Sequence, residues 1–191
     1  MKRLVTLLLV FIGPVLVNGL VGCDDCHPAP SRFTIGGYKL SLQKAGVNPS
    51  YPTEVGSVSP GDTVVSRQLQ IRLLSQEIYS ASRSGGGTSA FACEPAIIPL
   101  DVIKSLAITS NQAFGADLPV GANLTSVLSV EYGSRSATDY FSQPNIPAQS
   151  YVFTFIKSPE RIARHRFTVQ VELQNGKTFT DTTIAVTIKP Y

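Results

Sequence analysis

The chain has 191 residues, with 16 Lys and Arg against 13 Asp and Glu, and a formal net charge of +3. Removal of residues 1–22, which are interpreted below as a signal segment, removes Lys2 and Arg3 and leaves 14 cations against 13 anions. Such a nearly neutral chain lacks the basic surplus of nucleic-acid-binding proteins. The 169 remaining residues are enough for one domain with a proper core.

The first 22 residues have the layout of a secretory signal. Lys2 and Arg3 precede an apolar run, Leu4 to Val17, which Gly13-Pro14 interrupts. The run is shorter than the roughly 20 consecutive apolar residues that a spanning helix needs. We therefore predict that residues 1–22 are a removed signal peptide and that residues 23–31 form a tether.

The stretch "LVGCDDCHP" (20–28) supports two incompatible interpretations of Cys23. Leu20-Val21-Gly22-Cys23 resembles a bacterial lipobox, in which the cysteine is acylated and becomes the first residue. Cys23-Asp24-Asp25-Cys26-His27 also spells C-x-x-C-H, the attachment motif of a c-type haem. The lipobox is favoured, because Met1 is the only methionine and leaves with the signal, so His165 alone remains as a second axial ligand.

If Cys23 carries lipid, Cys26 and Cys93 remain as one pair. An oxidising envelope would join them in a disulfide that closes the 68-residue loop from 26 to 93, worth about 4 kcal/mol in the chain-entropy model. Two unpaired buried thiols are the alternative. A zinc site from Cys26, His27, Cys93 and His165 lacks paired ligand spacing, so no metal and no cofactor is predicted.

Downstream of the tether, short runs of β-forming residues alternate with turn signals. Several of these runs place apolar residues at every second position, as half-buried strands do. The predicted strands lie at 32–42, 67–74, 103–110, 151–157, 167–173 and 184–188. In the fourth run, both faces carry apolar residues, which suggests that both are covered.

The segments between these strands carry loop or turn signals. Asn175-Gly176 predicts a type I′ hairpin turn with a return strand from Lys177. "SRSGGGTS" (82–89) predicts a flexible loop, the prolines of "SQPNIPAQ" (142–149) predict irregular structure, and "GANLTSVLSVE" (121–131) fits one helical turn or a strand. The expected fold is all-β: an antiparallel β-sandwich over residues 32–191 as a single domain, with an immunoglobulin-like layout as one form of it.

Three segments of the chain resemble a family of small bacterial cell-envelope lipoproteins known as a domain of unknown function. They are "RFTIGGYKL", the stretch from "FACEPAIIPL" to "LTSVLSV", and "FTVQVELQNGKTFTDTT". The shared features are the N-terminal cysteine, Cys93-Glu94-Pro95, a strand near Ile103 and a Gly-containing loop at Pro119 to Asn123. The resemblance implies an envelope lipoprotein and supplies no catalytic residue.

Residues that could carry chemistry are dispersed. A Ser-His-Asp triad would have to be built around His165, and no sequence feature names its serine. The acids Asp101, Glu94, Asp117, Asp139, Glu160 and Asp181 show no pairing. Arg161, Arg164 and Arg166 surround His165 in the sequence and are expected to give it a cationic surface rather than an apolar haem pocket. This cluster is expected to be a solvated strand entry rather than an anion site.

Exposed aromatics could recognise a glycan. Tyr132, Tyr140 and Phe141 are the candidates, although core packing is their favoured role.

These observations lead to a functional expectation. The chain is expected to be anchored to the inner or outer membrane of a bacterium through acylated Cys23 and to act without catalysis, with envelope proteins or glycans as partners. The alternative is a tethered hydrolase whose site the sequence conceals.

Overall fold

The computed structural model describes residues 31–45, 56–79, 96–130 and 135–191. Contacts divide the chain into two units, and the larger one comprises residues 32–80 and 99–191. The elements discussed below belong to this unit, apart from Ser31 at the start of β1 and Ile97 and Ile98 of β5. The predicted boundaries at residues 22 and 31 stay a prediction.

The described part of the chain is almost entirely β-structure, which confirms the predicted all-β, sandwich-like fold. The strands, numbered in chain order, are β1 (Ser31–Lys44), β2 (Gly56–Ser57), β3 (Thr63–Val65), β4 (Leu69–Tyr79), β5 (Ile97–Pro99), β6 (Val102–Ser110), β7 (Leu128–Val130), β8 (Ile146–Pro147), β9 (Tyr151–Phe155), β10 (Ala163–His165), β11 (Phe167–Leu173), β12 (Thr178–Thr182) and β13 (Val186–Lys189). One short helix, α1 (Ala137–Phe141), and 3₁₀ turns at Ser66–Gln68 and Thr125–Val127 complete the described elements.

These strands form three sheets. The first has the order β2-β1-β4-β9-β7, with β5 also paired to β1, the second β12-β11-β6-β8, and the third, called here the small sheet, β10-β13-β3. Apart from the pair of β5 with β1, the pairs within these sheets are antiparallel except β3 with β13. That parallel pair departs from the expected antiparallel layout, and it is possible because most of the domain lies between the two strands in sequence.

The core consists of the inward residues of these strands. Leu69, Ile71 and Leu73 on β4 and Phe167, Val169 and Val171 on β11 are buried, as their alternation predicts. On β9 the aromatic face is buried, whereas Val152 is half-buried and Ile156 is 44% exposed. The prediction that both faces of this run are covered therefore holds only in part.

Three local predictions need correction or completion. The segment predicted as one helical turn or a strand contains both, a 3₁₀ turn and then β7, within its described residues 121–130. Ile184 lies outside the last strand, which begins at Val186. The proline-rich segment 142–149 does include a strand, β8, which pairs with Val102 and Ile103. Pro147 is tolerated there because β8 is an edge strand.

The turn at Asn175-Gly176 is not of type I′. Type I′ needs a positive φ at both central residues, but among the described residues near this turn only Gly176 has one (φ 85°). Gly176 N–H donates to the carbonyl of Leu173, and Leu173 N–H donates to the carbonyl of Lys177. This is a three-residue loop closed by a glycine bulge.

Asp101 joins the first sheet to the second. A bulge between Ile35 and Gly37 shifts the register of β1 against β4. Beside it, Ile35 N–H donates to Asp101 Oδ2 at 2.7 Å, and Asn175 Nδ2 donates to Asp101 Oδ1 at 2.7 Å. Further along β1, Leu40 N–H donates to Asp181 Oδ2 at 2.6 Å. These two carboxylates accept N–H groups of β1 that face away from β4.

Replacement of Asp101 by Ala should lower the free energy of unfolding by about 2–4 kcal/mol. The substitution leaves the buried N–H of Ile35 without an acceptor and frees the Asn175 amide. Chemical denaturation measures the loss. Asp101→Asn, which keeps one oxygen for Ile35, should lose less, and an alanine variant within 0.5 kcal/mol of wild type, about the scatter of neutral surface changes, would contradict the role assigned to Asp101.

Candidate functional site

The closest approach of a histidine to a nucleophile in the described residues is between His165 and Ser110. Ser110 is the last residue of β6 and His165 the last of β10. Ser110 Oγ lies 2.9 Å from His165 Nδ1 and also accepts a hydrogen bond from Gln112 N–H at 3.2 Å. His165 is fully buried and Ser110 is 4% exposed.

Aromatic rings surround the imidazole. The Phe167 ring is stacked on it with centroids 5.9 Å apart, and the Phe114 ring meets it edge-on at 5.8 Å. The prediction that arginines give His165 a cationic surface is wrong for the imidazole ring, which lies among aromatic side chains. Arg164 and Arg166 are exposed, as expected, because neighbouring residues of a strand point to opposite faces.

This apolar burial lowers the pKa of His165 from its ordinary value of 6.5 to about 4. The cause is desolvation, which penalises the charged imidazolium. A general base works best when its pKa lies near the working pH. The ring is therefore a weak base at neutral pH.

The Ser110–His165 pair also differs from a hydrolase triad in its connections. In a triad one ring nitrogen faces the serine and the other donates to a carboxylate. Here Nε2 has no hydrogen-bond partner within the described structure. No group of three or more His, Cys, Asp or Glu side chains that could hold a metal occurs among the described residues.

A shallow cavity of about 270 Å³ lies next to this pair. Its lining is Ala113, Phe114, Gly115, Ala116, Glu160 and Arg161. Phe114 separates two environments, since its ring both lines the cavity and contacts His165. The volume is slightly below that of typical small-molecule sites.

Glu160 holds the cavity loop in place. Its Oε1 accepts from Ala116 N–H at 3.1 Å, and its own N–H donates to the Phe114 carbonyl at 3.0 Å. A Cβ on Gly115 would lie only 2.9 Å from Glu160 Oε1, so the close approach suits glycine. The carboxylate thus organises the loop that forms the wall.

The other described acids that the sequence analysis named do not line this cavity. Asp101 and Asp181 bind β1, and Asp139 receives a hydrogen bond from Ser136 at the start of α1. Asp117 is exposed. Glu94 lies outside the described residues. The structure places no second carboxylate among the residues that line the Glu160 cavity.

Tyr140 and Phe141 belong to α1 and pack against the core, which confirms the favoured prediction for them. Both rings meet Tyr151, with centroids 5.9 Å and 5.2 Å away. Tyr132 lies outside the described residues. So do Cys23, Cys26, His27 and Cys93, and their lipid, disulfide, haem and zinc interpretations stay predictions.

Ser110 is not among the residues predicted from the sequence, although the alternation of β6 marks its side chain as buried. Leu106, Ile108 and Ser110 share one face of β6, and the alternation of Phe167 and Val169 extends backwards to His165. Ser110 and His165 therefore each lie at the end of a line of buried, inward-facing residues. The pairing of β11 with β6 places Phe167 opposite Ser110.

Comparisons of the chain with protein-family models, with curated proteins and with solved structures found no match. Among the described residues, no helix has the length and apolar character needed to cross a membrane.

The low pKa of His165 predicts acid sensitivity. Because the unfolded chain binds the proton near pH 6.5 and the folded chain only near pH 4, stability is complete above 6.5 and falls as the pH drops toward 4. The loss attributable to His165 should reach about 3 kcal/mol. Denaturation curves between pH 7 and pH 4 would measure it.

His165→Asn provides the control, because it lacks a group that titrates in this range. Its stability should be lower at pH 7 and should depend less steeply on pH than that of wild type. Parallel pH dependences in the two proteins would show that His165 is not protonated on unfolding.

Proposed function

We propose that the chain is a cell-envelope lipoprotein whose β-sandwich is a non-catalytic binding or structural module. The N-terminal layout supports the lipid anchor. It consists of Lys2 and Arg3, an apolar run and the segment Leu20-Val21-Gly22-Cys23. The resemblance to small bacterial lipoproteins that three sequence segments suggest would imply the same cell-envelope location. Envelope proteins or glycans are the proposed partners, and the inner or outer membrane is the proposed location.

The burial of His165 inside the core is the observation that supports a non-catalytic role most strongly. Catalysis requires titratable groups that reach a substrate. His165 is fully buried, its Nδ1 is satisfied by Ser110, and its pKa is about 4. These properties suit a polar group that helps to position strands.

Acylation of Cys23 is tested by substitution. Cys23→Ser should abolish incorporation of labelled palmitate and the processing that follows acylation, whereas Cys93→Ser should keep both. Two or more acyl chains anchor a protein stably, so wild type should remain with membranes after a salt wash. Unmodified Cys23 in membrane-bound wild-type protein, found by mass spectrometry, would refute the proposal.

A tethered hydrolase is the second candidate, because Ser110 and His165 do lie within hydrogen-bond distance. A fluorophosphonate probe, which labels activated serines, tests it. We expect no labelling of Ser110, since both groups are buried. Labelling that disappears in Ser110→Ala but persists in Ser142→Ala, where an exposed serine is removed, would establish the hydrolase instead.

A further inference from the structure

The small sheet has one buried and one exposed face. Val186 and Ile188 of β13 and His165 of β10 point inward and are buried. The register pairs Arg164 with Thr187, and Thr187 with Thr63, so these residues share the opposite face. This outer face consists of Ile162, Arg164, Arg166, Thr187, Lys189 and Thr63.

Cations dominate the outer face. Arg164, Arg166 and Lys189 are exposed, and Arg161 lies beside them at the cavity. The ion pair found among the described residues, Lys104 with Glu172, does not involve them. Two acids border this face: Glu160, which accepts from Ala116 N–H, and Asp62, which accepts from Ser59 N–H. Both keep their negative charge, so the four cations exceed the two anions and the face is positive, although the processed chain is nearly neutral.

Exposed aliphatic side chains accompany the cations. Ile162 is 62% exposed and precedes Arg164 by two positions, so both lie on the outer face. Ile156 is 44% exposed, and its carbonyl accepts from the Tyr191 hydroxyl at 3.4 Å, which places it near the residue two positions after Lys189. Ile184 is 40% exposed just before β13 but has the parity of the buried Val186 and Ile188, so it is not counted with the outer face.

We propose that the outer face docks on an anionic phospholipid surface, an inference that rests on the proposed lipid anchor. Guanidinium and ammonium groups bind lipid phosphates, and each cation near such a surface contributes to binding. Aliphatic side chains between cations enter the boundary between headgroups and acyl chains. An acidic polysaccharide would satisfy the cations but would offer no such boundary to the isoleucines.

This docking would determine which end of β1 faces the membrane. The small sheet lies at the end of β1 that contains Lys44, because Lys44 pairs with Leu69 and β3 closely precedes Leu69. Docking of the outer face would therefore bring the Lys44 end of β1 to the bilayer.

Hydrogen exchange of the full lipidated protein tests this inference. The protein is reconstituted into vesicles of phosphatidylcholine alone and into matched vesicles that contain phosphatidylglycerol. Exchange at residues 160–167 and 184–190 should be slower in the anionic vesicles, and added salt should remove the difference. The turn at residues 174–177 serves as an internal reference.

Matched charge reversals assign the effect to the outer face. Arg164→Glu or Arg166→Glu should lower the ratio of docked to undocked protein by at least about fivefold. Lys177→Glu, which makes the same charge change in the exposed 174–177 turn, should leave the ratio unchanged. Thermal unfolding of each variant confirms that the fold is intact.

Equal exchange in the two kinds of vesicle, or slowing that survives Arg164→Glu, would overturn the inference. Slowing by soluble polygalacturonate but not by anionic vesicles would overturn it in favour of an acidic glycan. Failure of the lipid anchor is distinguishable, because a chain without acyl groups would not float with phosphatidylcholine vesicles at all.

Discussion

The hydrogen bonds of Asp101 are the constraint on which the arrangement of the two larger sheets depends. Its two carboxylate oxygens accept from Ile35 N–H on β1 and from the Asn175 amide in the hairpin after β11. Its carbonyl accepts from Ala148 N–H, next to β8. One buried residue thus joins a bulged strand, a hairpin and an edge strand, and each of these would otherwise hold a backbone or side-chain polar group without a partner.

At the other end of β1, the aromatic residues have the corresponding role. Phe114 is stacked on Phe155, and Phe155 meets Phe167, whose ring is stacked on His165. Ser110 supplies a partner for one nitrogen of that histidine. The resemblance to a catalytic pair is a consequence of packing, because β6 and β10 both place their last residue in this apolar layer. Arg164 and Arg166, on either side of His165, point outward and belong to the outer face. The alternation of side chains around β10 therefore places His165 in the core and the two arginines on the surface.

Much of the fold could be predicted from sequence, because period-two alternation marks the buried rows of β4, β6 and β11 directly. The predicted type I′ turn at Asn175-Gly176 is wrong, and the dipeptide alone does not show that the Asn175 amide donates to Asp101, 74 positions away. The predicted cationic surface around His165 is wrong for the ring, because the alternation of the strand places His165 on the same side as Phe167 whatever the charge of its arginine neighbours. The alternation in each strand marks Ser110 and His165 as buried, but it does not show that these two residues, 55 positions apart, are in contact.

His165 is a neutral, structural part of the core. A ¹⁵N-detected NMR titration of the His165 ring in the folded protein tests this role. The ring should keep one neutral tautomer from pH 8 down to pH 5 and should be protonated only near pH 4. A midpoint near 6.5 or above would show instead that the ring is solvated or coupled to an acid, as a catalytic histidine is.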